Sequence, residues 1–284
     1  MVMKEKGGFF ITALKGAGKL LPGTRLKTFV YLNCIAKVRK LSRKTIMSFY
    51  RQEHVYDVLK EFRKNYKGKF SILEFGVADG YSFTKKLYAV RYLKMEEQVM
   101  LHGFDTFAGL PPEMDEADRS LVVGDGFEEG HYLGRYDALL EYCRKKYKNF
   151  ALHQGLFEET ITDDFLKTLT EWPPILIWID CDYYSSTKMI FEKIIPYIPS
   201  GCVIYFDDIY FNFSSRFTGE MKAVWEINQG EFGEGIELVP DTELSLDSNR
   251  IYRFINTNME RGYEMINKVE KDPVRYRGDD SPFP

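Results

Sequence analysis

Two short segments of this 284-residue chain end in closely spaced carboxylates: Trp178-Ile-Asp180-Cys-Asp182-Tyr-Tyr-Ser-Ser-Thr187 and Tyr205-Phe-Asp207-Asp208-Ile-Tyr210. Each follows an apolar run of the kind that forms a buried strand. Like charges gathered on one rim repel and raise each other's pKa unless a cation offsets them. An all-oxygen set with no neighbouring Cys/His cluster favours Mg²⁺, Mn²⁺ or Ca²⁺ over zinc. The competing reading is structural: Asp182 or Ser185 caps a helix starting near Ser186, and Asp207 caps a later turn. Adjacent Asp207 and Asp208 would face opposite sides of a regular strand, so both reach one ion only if the strand has ended before them.

A third segment, Ser71-Ile-Leu-Glu-Phe-Gly-Val-Ala-Asp-Gly-Tyr-Ser82, joins an apolar run to the pattern Glu74-x-Gly76-x-x-x-Gly80. In the dinucleotide fingerprint, glycines let a pyrophosphate approach a helix N-terminus. Here an acid precedes the glycines. A carboxylate there repels a pyrophosphate but accepts a hydrogen bond from an ammonium group, which suits the methionine end of S-adenosylmethionine. Gly76 and Gly80 would let the backbone pass beneath the ligand, with Tyr81 and Ser82 beside it. A plain strand-to-helix turn is the alternative. Downstream, Gly103-Phe-Asp105-Thr106-Phe-Ala-Gly109-Leu-Pro-Pro112 offers Asp105 to both ribose hydroxyls, or merely as a turn former. His153-Gln154-Gly155-Leu-Phe157-Glu158 offers Gln154 and Phe157 to the adenine.

Short runs rich in β-branched and aromatic residues must position these groups. Seven such runs are expected as strands, at 70–75, 99–104, 150–153, 175–179, 202–206, 236–239 and 250–255. They alternate with helical patterns near 82–95, 133–147, 160–170, 185–196 and 218–228, the mark of a parallel sheet with crossover helices on both faces. The last two runs are only about ten residues apart, with turn chemistry between them, so they form an antiparallel hairpin. In such a sheet ligands bind beyond the carboxyl ends of the strands, where every residue named above falls. The long acidic insertion from Asp115 to Glu129 reads as a loop.

The net charge of -3 conceals an asymmetry: residues 1–51 hold twelve Lys or Arg against Glu5 alone, a local charge of +11 that leaves -14 for the remainder. The expected organisation is a basic arm over 1–41, a helical cap over 42–66, the main domain over 67–257 and a tail over 258–284. The arm is either a solvated segment or one that rests on an anionic membrane surface or a phosphorylated substrate. Nucleic acid is disfavoured, because the acidic remainder offers no matching groove. Gly16-Ala-Gly-Lys19 fails as a phosphate loop: Ala13 replaces the first glycine and Leu20 the Ser or Thr. Cys34, Cys143, Cys181 and Cys202 lack metal spacing and are expected as reduced thiols. With no membrane-spanning run or signal peptide, a cytoplasmic protein is expected, with the inner membrane face open as a peripheral site. A homo-oligomer is left open.

Gly103-Phe-Asp-Thr-Phe-Ala-Gly-Leu-Pro, Gly155-Leu-Phe-Glu-Glu-Thr, Ile179-Asp-Cys-Asp-Tyr-Tyr-Ser-Ser-Thr and Phe206-Asp-Asp-Ile-Tyr occur together and in order. Over about residues 70–228 the chain resembles the macrocin and mycinamicin O-methyltransferase family, metal-dependent sugar methyltransferases of class I. The resemblance implies a Rossmann-like, seven-stranded, mostly parallel α/β sheet whose last strand is antiparallel. It implies S-adenosylmethionine and Mg²⁺ as cofactors and a sugar-containing acceptor. By matching position, Asp180, Asp207 and Asp208 are the metal ligands and Asp182 the general base. Asp180 also borders the cofactor, alongside Gly155. The rivals are methylation of nucleic acid, protein or a phenol by the same fold, a nicotinamide-dependent oxidoreductase, and a non-catalytic scaffold.

Overall fold

A computed structural model of the chain describes residues 53–65, 68–122, 127–245 and 250–258. The chain divides into two compact units, residues 1–56 and 57–284. The basic arm, the first part of the expected cap and the tail beyond Asn258 lie outside the described residues. The described part of the cap is helix α1 (Glu53–Asn65).

Seven strands form one sheet: β1 (Phe70–Phe75), β2 (Val99–Asp105), β3 (Phe150–Gln154), β4 (Pro174–Ile179), β5 (Val203–Phe206), β6 (Ile236–Pro240) and β7 (Ile251–Asn256). Their order is β3-β2-β1-β4-β5-β7-β6. Neighbours from β3 to β5 run parallel, and β7 is antiparallel to both β5 and β6. This is the seven-stranded, mostly parallel architecture expected from the sequence. Every residue of β1 and β4 is buried, which explains why both read as continuous apolar runs rather than alternating ones.

The crossovers supply α2 (Tyr81–Tyr92), α3 (Tyr136–Arg144), the single turn α4 (Phe157–Thr160), α5 (Asp163–Glu171), α6 (Tyr184–Ile194) and α7 (Gly219–Asn228), with a last short turn α8 (Thr242–Ser245) before β7. Side chains of β1 alternate between the two helical layers. Leu73 and Phe75 pack with Phe165 and Leu169 of α5 and with Ile190, Phe191 and Ile194 of α6. Glu74, pointing the other way, meets Lys86 of α2. The strand order reverses between β1 and β4, and the crevice at that switch point is where a ligand has room.

Two histidines that the sequence left unassigned pair inside this sheet. His102 Nδ1 lies 3.1 Å from His153 Nε2, and His153 stacks on Phe104 with ring centroids 4.3 Å apart. Burial, with His153 a lesser cause, lowers the pKa of His102 to about 3, and burial lowers that of His153 to about 4. Both rings are therefore neutral in the folded protein at pH 6, while the unfolded chain binds protons below about 6.5. The sign follows: stability is full above pH 6.5 and falls as pH drops toward 4, by about 1.4 kcal/mol per pH unit for each histidine. Urea midpoints at pH 7 and pH 5 will show this decline, and His153→Gln should make it shallower. An equal slope in that variant would refute the assignment.

Candidate active site

The turn from β1 into α2 is shaped by one close approach. Gly76 has φ +87°, and a Cβ there would stand 1.7 Å from the carbonyl oxygen of Asp180 at the end of β4. Only glycine lets the two strand ends come together. Asp105, at the end of β2, then ties the turn in place: its Oδ2 accepts from the backbone N–H of Val77 at 2.6 Å and of Ala78 at 2.7 Å. Its Oδ1 accepts from Phe107 N at 2.5 Å. Two consecutive amides in the turn before α2 form a nest that attracts an anion, and the chain's own carboxylate fills that role.

Strand β5 ends at Phe206, so Asp207 and Asp208 both lie past the regular strand, as joint use of the pair requires. Carboxylate oxygens of Asp180, Asp207 and Asp208 can be chosen within 4.8 Å of one another, a group able to hold a metal ion. Burial, then Asp207 and Asp208, raise the pKa of Asp180 well above the carboxylate range. Burial first, then Asp207, raises that of Asp208 to about 6. Asp182 sits at φ +64° and is 8% exposed. Burial, followed by the charge of Asp208, raises it to about 9. The capping alternative does not hold for Asp182, because α6 starts after Tyr183 with no side-chain cap.

Beneath these acids lies a row of side chains from three adjacent strands. Register pairs Glu74 with Trp178 and Trp178 with Tyr205. The indole is held between the Lys86 ammonium, 3.6 Å from a ring centroid, and the Tyr205 ring stacked at 3.7 Å. Two residues on, along the same face, come the acids. Trp178 Nε1 donates to Asp180 Oδ2 at 3.3 Å, and Tyr205 Oη donates to Asp207 Oδ1 at 2.6 Å. Arg250 pairs with Asp207 Oδ1 at 3.0 Å.

A cavity of about 640 Å³ opens over this rim. It brings together Gly76, Tyr81, Ser82, Asp105, Thr106, Phe157, Asp180, Asp182, Asp207 and Asp208. Four residues assigned to the cofactor from sequence are not on its wall: Glu74, Gly80, Gln154 and Gly155. Glu74 is fully buried and accepts from Ser82 Oγ. Lys86 Nζ lies 3.0 Å from its Oε2, an ion pair whose angles fall outside hydrogen-bond geometry. That lysine stands where the sequence reading had put the cofactor's ammonium. Burial opposes charge on both partners, raising Glu74 and lowering Lys86. Gly80 caps the start of α2 in the left-handed region, and a Cβ there would meet Leu139. Gln154 is exposed at the end of edge strand β3, and Gly155 N donates to Asp105 O at 3.0 Å.

Sequence reasoning missed Glu220, for which position 220 carries no signal. It is fully buried, its Oε2 accepts from Asp208 N at 3.0 Å, and its Oε1 has no hydrogen-bond partner. Burial and then Asp208 raise its pKa well above the usual range. Asp118 was passed over as part of an acidic insertion, yet its Oδ1 accepts from Ser185 N at 2.8 Å and its Oδ2 from Met114 N at 3.0 Å. Asn212 holds the same insertion, accepting from Leu121 N at 2.8 Å and donating to Arg119 O at 3.0 Å.

Residues 73–209 match the family model for methyltransferase domains. The chain carries a methyltransferase domain. The matched span runs from β1 through the paired acids beyond β5, so the methyltransferase domain contains the whole acidic rim, and the nicotinamide reading drops out. No curated protein matches this methyltransferase in sequence. Among solved structures its fold is similar to CalS11, a calicheamicin methyltransferase, with a TM-score of 0.57 and 20% identity over 91% of this chain and 95% of that one. It is also similar to the O-methyltransferase NovP, with a TM-score of 0.52 and 15% identity over 75% of this chain and 82% of that one. At these identities the likeness is one of fold. Among the described residues, no helix is long and apolar enough to cross a membrane, and Cys143, Cys181 and Cys202 are buried free thiols.

Proposed function

We propose that this methyltransferase transfers the methyl group of S-adenosylmethionine to a sugar hydroxyl with the help of Mg²⁺ or another divalent cation. The observation that carries the reading is the meeting, in one cavity, of the Gly76 turn and the carboxylates of Asp180, Asp207 and Asp208. The chain fits both groups. Gly76, Tyr81, Ser82, Asp105, Thr106 and Phe157 line the same cavity as the acids, and the acid cluster offers only oxygen donors, whose crowding favours a hard cation. When bound, the cofactor supplies an electrophilic methyl group and the cation lowers the pKa of a hydroxyl. Gly76, Tyr81, Ser82, Asp105, Thr106 and Phe157 hold and orient the cofactor; Asp180, Asp207 and Asp208 hold the cation. Asp182 accepts the hydroxyl proton on its carboxylate. Without a cation, burial and the charge of Asp208 keep that carboxylate protonated up to about pH 9; with that charge offset by a cation on Asp180, Asp207 and Asp208, Asp182 is free to act as a general base. The neighbours CalS11 and NovP, a calicheamicin methyltransferase and an O-methyltransferase, accord with this reading.

The test combines a labelled methyl donor, a panel of glycosides and a titration with S-adenosylhomocysteine. Asp207→Ala should abolish transfer while S-adenosylhomocysteine still binds with its parental affinity. Turnover that persists in excess EDTA would remove the cation from the reading.

A further inference from the structure

We infer that Glu220 is a positioning residue for the cation site: by taking the backbone N–H of Asp208 it ends strand β5 after Phe206, and so lets the carboxylates of Asp207 and Asp208 reach one ion. This rests on the cation proposed for those acids and deepens that reading. Successive amides of a strand inside a sheet point to opposite neighbours. Phe206 N donates toward β7, to Arg250 O at 2.9 Å, and Asp207 N toward β4, to Ile179 O at 2.9 Å. The next rung would return Asp208 N to the β7 side. It goes instead to Glu220 Oε2 at 3.0 Å, in the first turn of α7.

An amide buried without an acceptor is costly, so Asp208 N either joins the ladder or finds another partner. One more ladder residue would turn Asp207 and Asp208 to opposite faces of the sheet, and one ion could not take both. The turn is closed from its other end as well. Asp208 O accepts from Phe211 N at 2.8 Å. Gly219, at φ +56°, brings α7 against Phe211, whose Cδ1 would stand 2.6 Å from a Cβ at that position. Both backbone polar groups of Asp208 are thereby held, whereas Asp207 is held at its carboxylate, by Tyr205 and Arg250.

Glu220 fills this place as a hydrogen-bond acceptor. It is fully buried. Among the described residues its side chain makes one hydrogen bond, the one from Asp208 N to Oε2, and its Oε1 makes none. A side-chain amide oxygen can accept the same bond, so the role belongs to the acceptor and not to the charge.

Calorimetric titration of the full-length chain with Mn²⁺ will decide it, with S-adenosylhomocysteine titrated in parallel. Glu220→Met keeps the length of the side chain and removes the acceptor. It should weaken Mn²⁺ binding by about 10–100-fold, the usual loss when a group that orients a metal ligand is removed, while the affinity for S-adenosylhomocysteine stays at its parental value. Glu220→Gln should hold Mn²⁺ as the parent does. Parental Mn²⁺ affinity in Glu220→Met, an equal loss in Glu220→Gln, or a matching loss of S-adenosylhomocysteine binding would each overturn the inference. Should Glu220→Met not fold, hydrogen exchange of the parent reports on the same bond: the Asp208 amide is expected to be protected, and exchange at the rate of an exposed amide would refute the assignment. A parent that binds no Mn²⁺ shows instead that the cation reading itself has failed, and this inference with it.

Discussion

Replacing Asp182 with asparagine should lower the rate of methyl transfer by about 10²–10⁴-fold, the usual contribution of a positioned general base, while S-adenosylhomocysteine binding stays at its parental value. Asparagine is the right probe for two reasons. It matches the volume of aspartate, and it tolerates the left-handed backbone at φ +64° that most residues resist. The same substitution has an opposite effect on stability. The folded protein raises the pKa of Asp182 from 3.8 to about 9, so between those values the folded state holds a proton that the unfolded chain releases. That contribution is full below pH 4 and is lost as pH rises toward 9. Asparagine carries no such penalty, so the metal-free variant should be more stable than the parent, by a margin that widens with pH. A variant that is both active and less stable at pH 8 would show that Asp182 is neither the base nor a carboxylate under strain.

The second large effect is expected at Gly76. Gly76→Ala should destabilise the protein by more than about 3 kcal/mol, placing it among the severe point substitutions, and should weaken cation binding as well. An alanine in the left-handed region costs about 1–2 kcal/mol by itself. The rest comes from collision: the new Cβ would stand 1.7 Å from Asp180 O and 2.6 Å from Asp180 C. Backbone cannot rotate aside as a side chain can, so the end of β4 must move, and it carries the Asp180 carboxylate with it. Gly80→Ala is the internal comparison. Its φ is also positive, at +75°, but its Cβ would meet the Leu139 side chain, which can give way. Urea denaturation and cation titration of the pair will separate them, and equal losses at both positions would contradict the argument.

The acidic rim was legible because parallel sheets concentrate function at strand ends. Asp180 and Asp207 each follow an apolar run, and β4 and β5 are neighbours in register, so sequence order alone brings their ends together. The cofactor side was legible only in part. Gly76 was read as a close approach to the cofactor; the structure shows its close approach to Asp180 O and its place on the cavity. Glu74 was read as a partner for the cofactor's ammonium. The sheet directs it toward α2, where Lys86 Nζ lies 3.0 Å from its Oε2. Asp105 reaches the cavity as expected, yet much of its hydrogen-bonding capacity is spent on Val77, Ala78 and Phe107.

By itself the sequence determined the sheet, the antiparallel terminal strand and the set of strand ends at which carboxylates collect. Period, run length and turn residues are local quantities, and in a doubly wound sheet they also dictate which ends share a crevice. Only the tertiary structure decided which polar groups answer one another across it: Lys86 for Glu74, Asp105 for the Gly76 turn, Asp118 for the start of α6, Glu220 for Asp208. These pairings depend on how a helix is rotated and where a loop returns. Their strength depends on burial, which governs the cost of an unmatched charge, and no spacing along the chain encodes that.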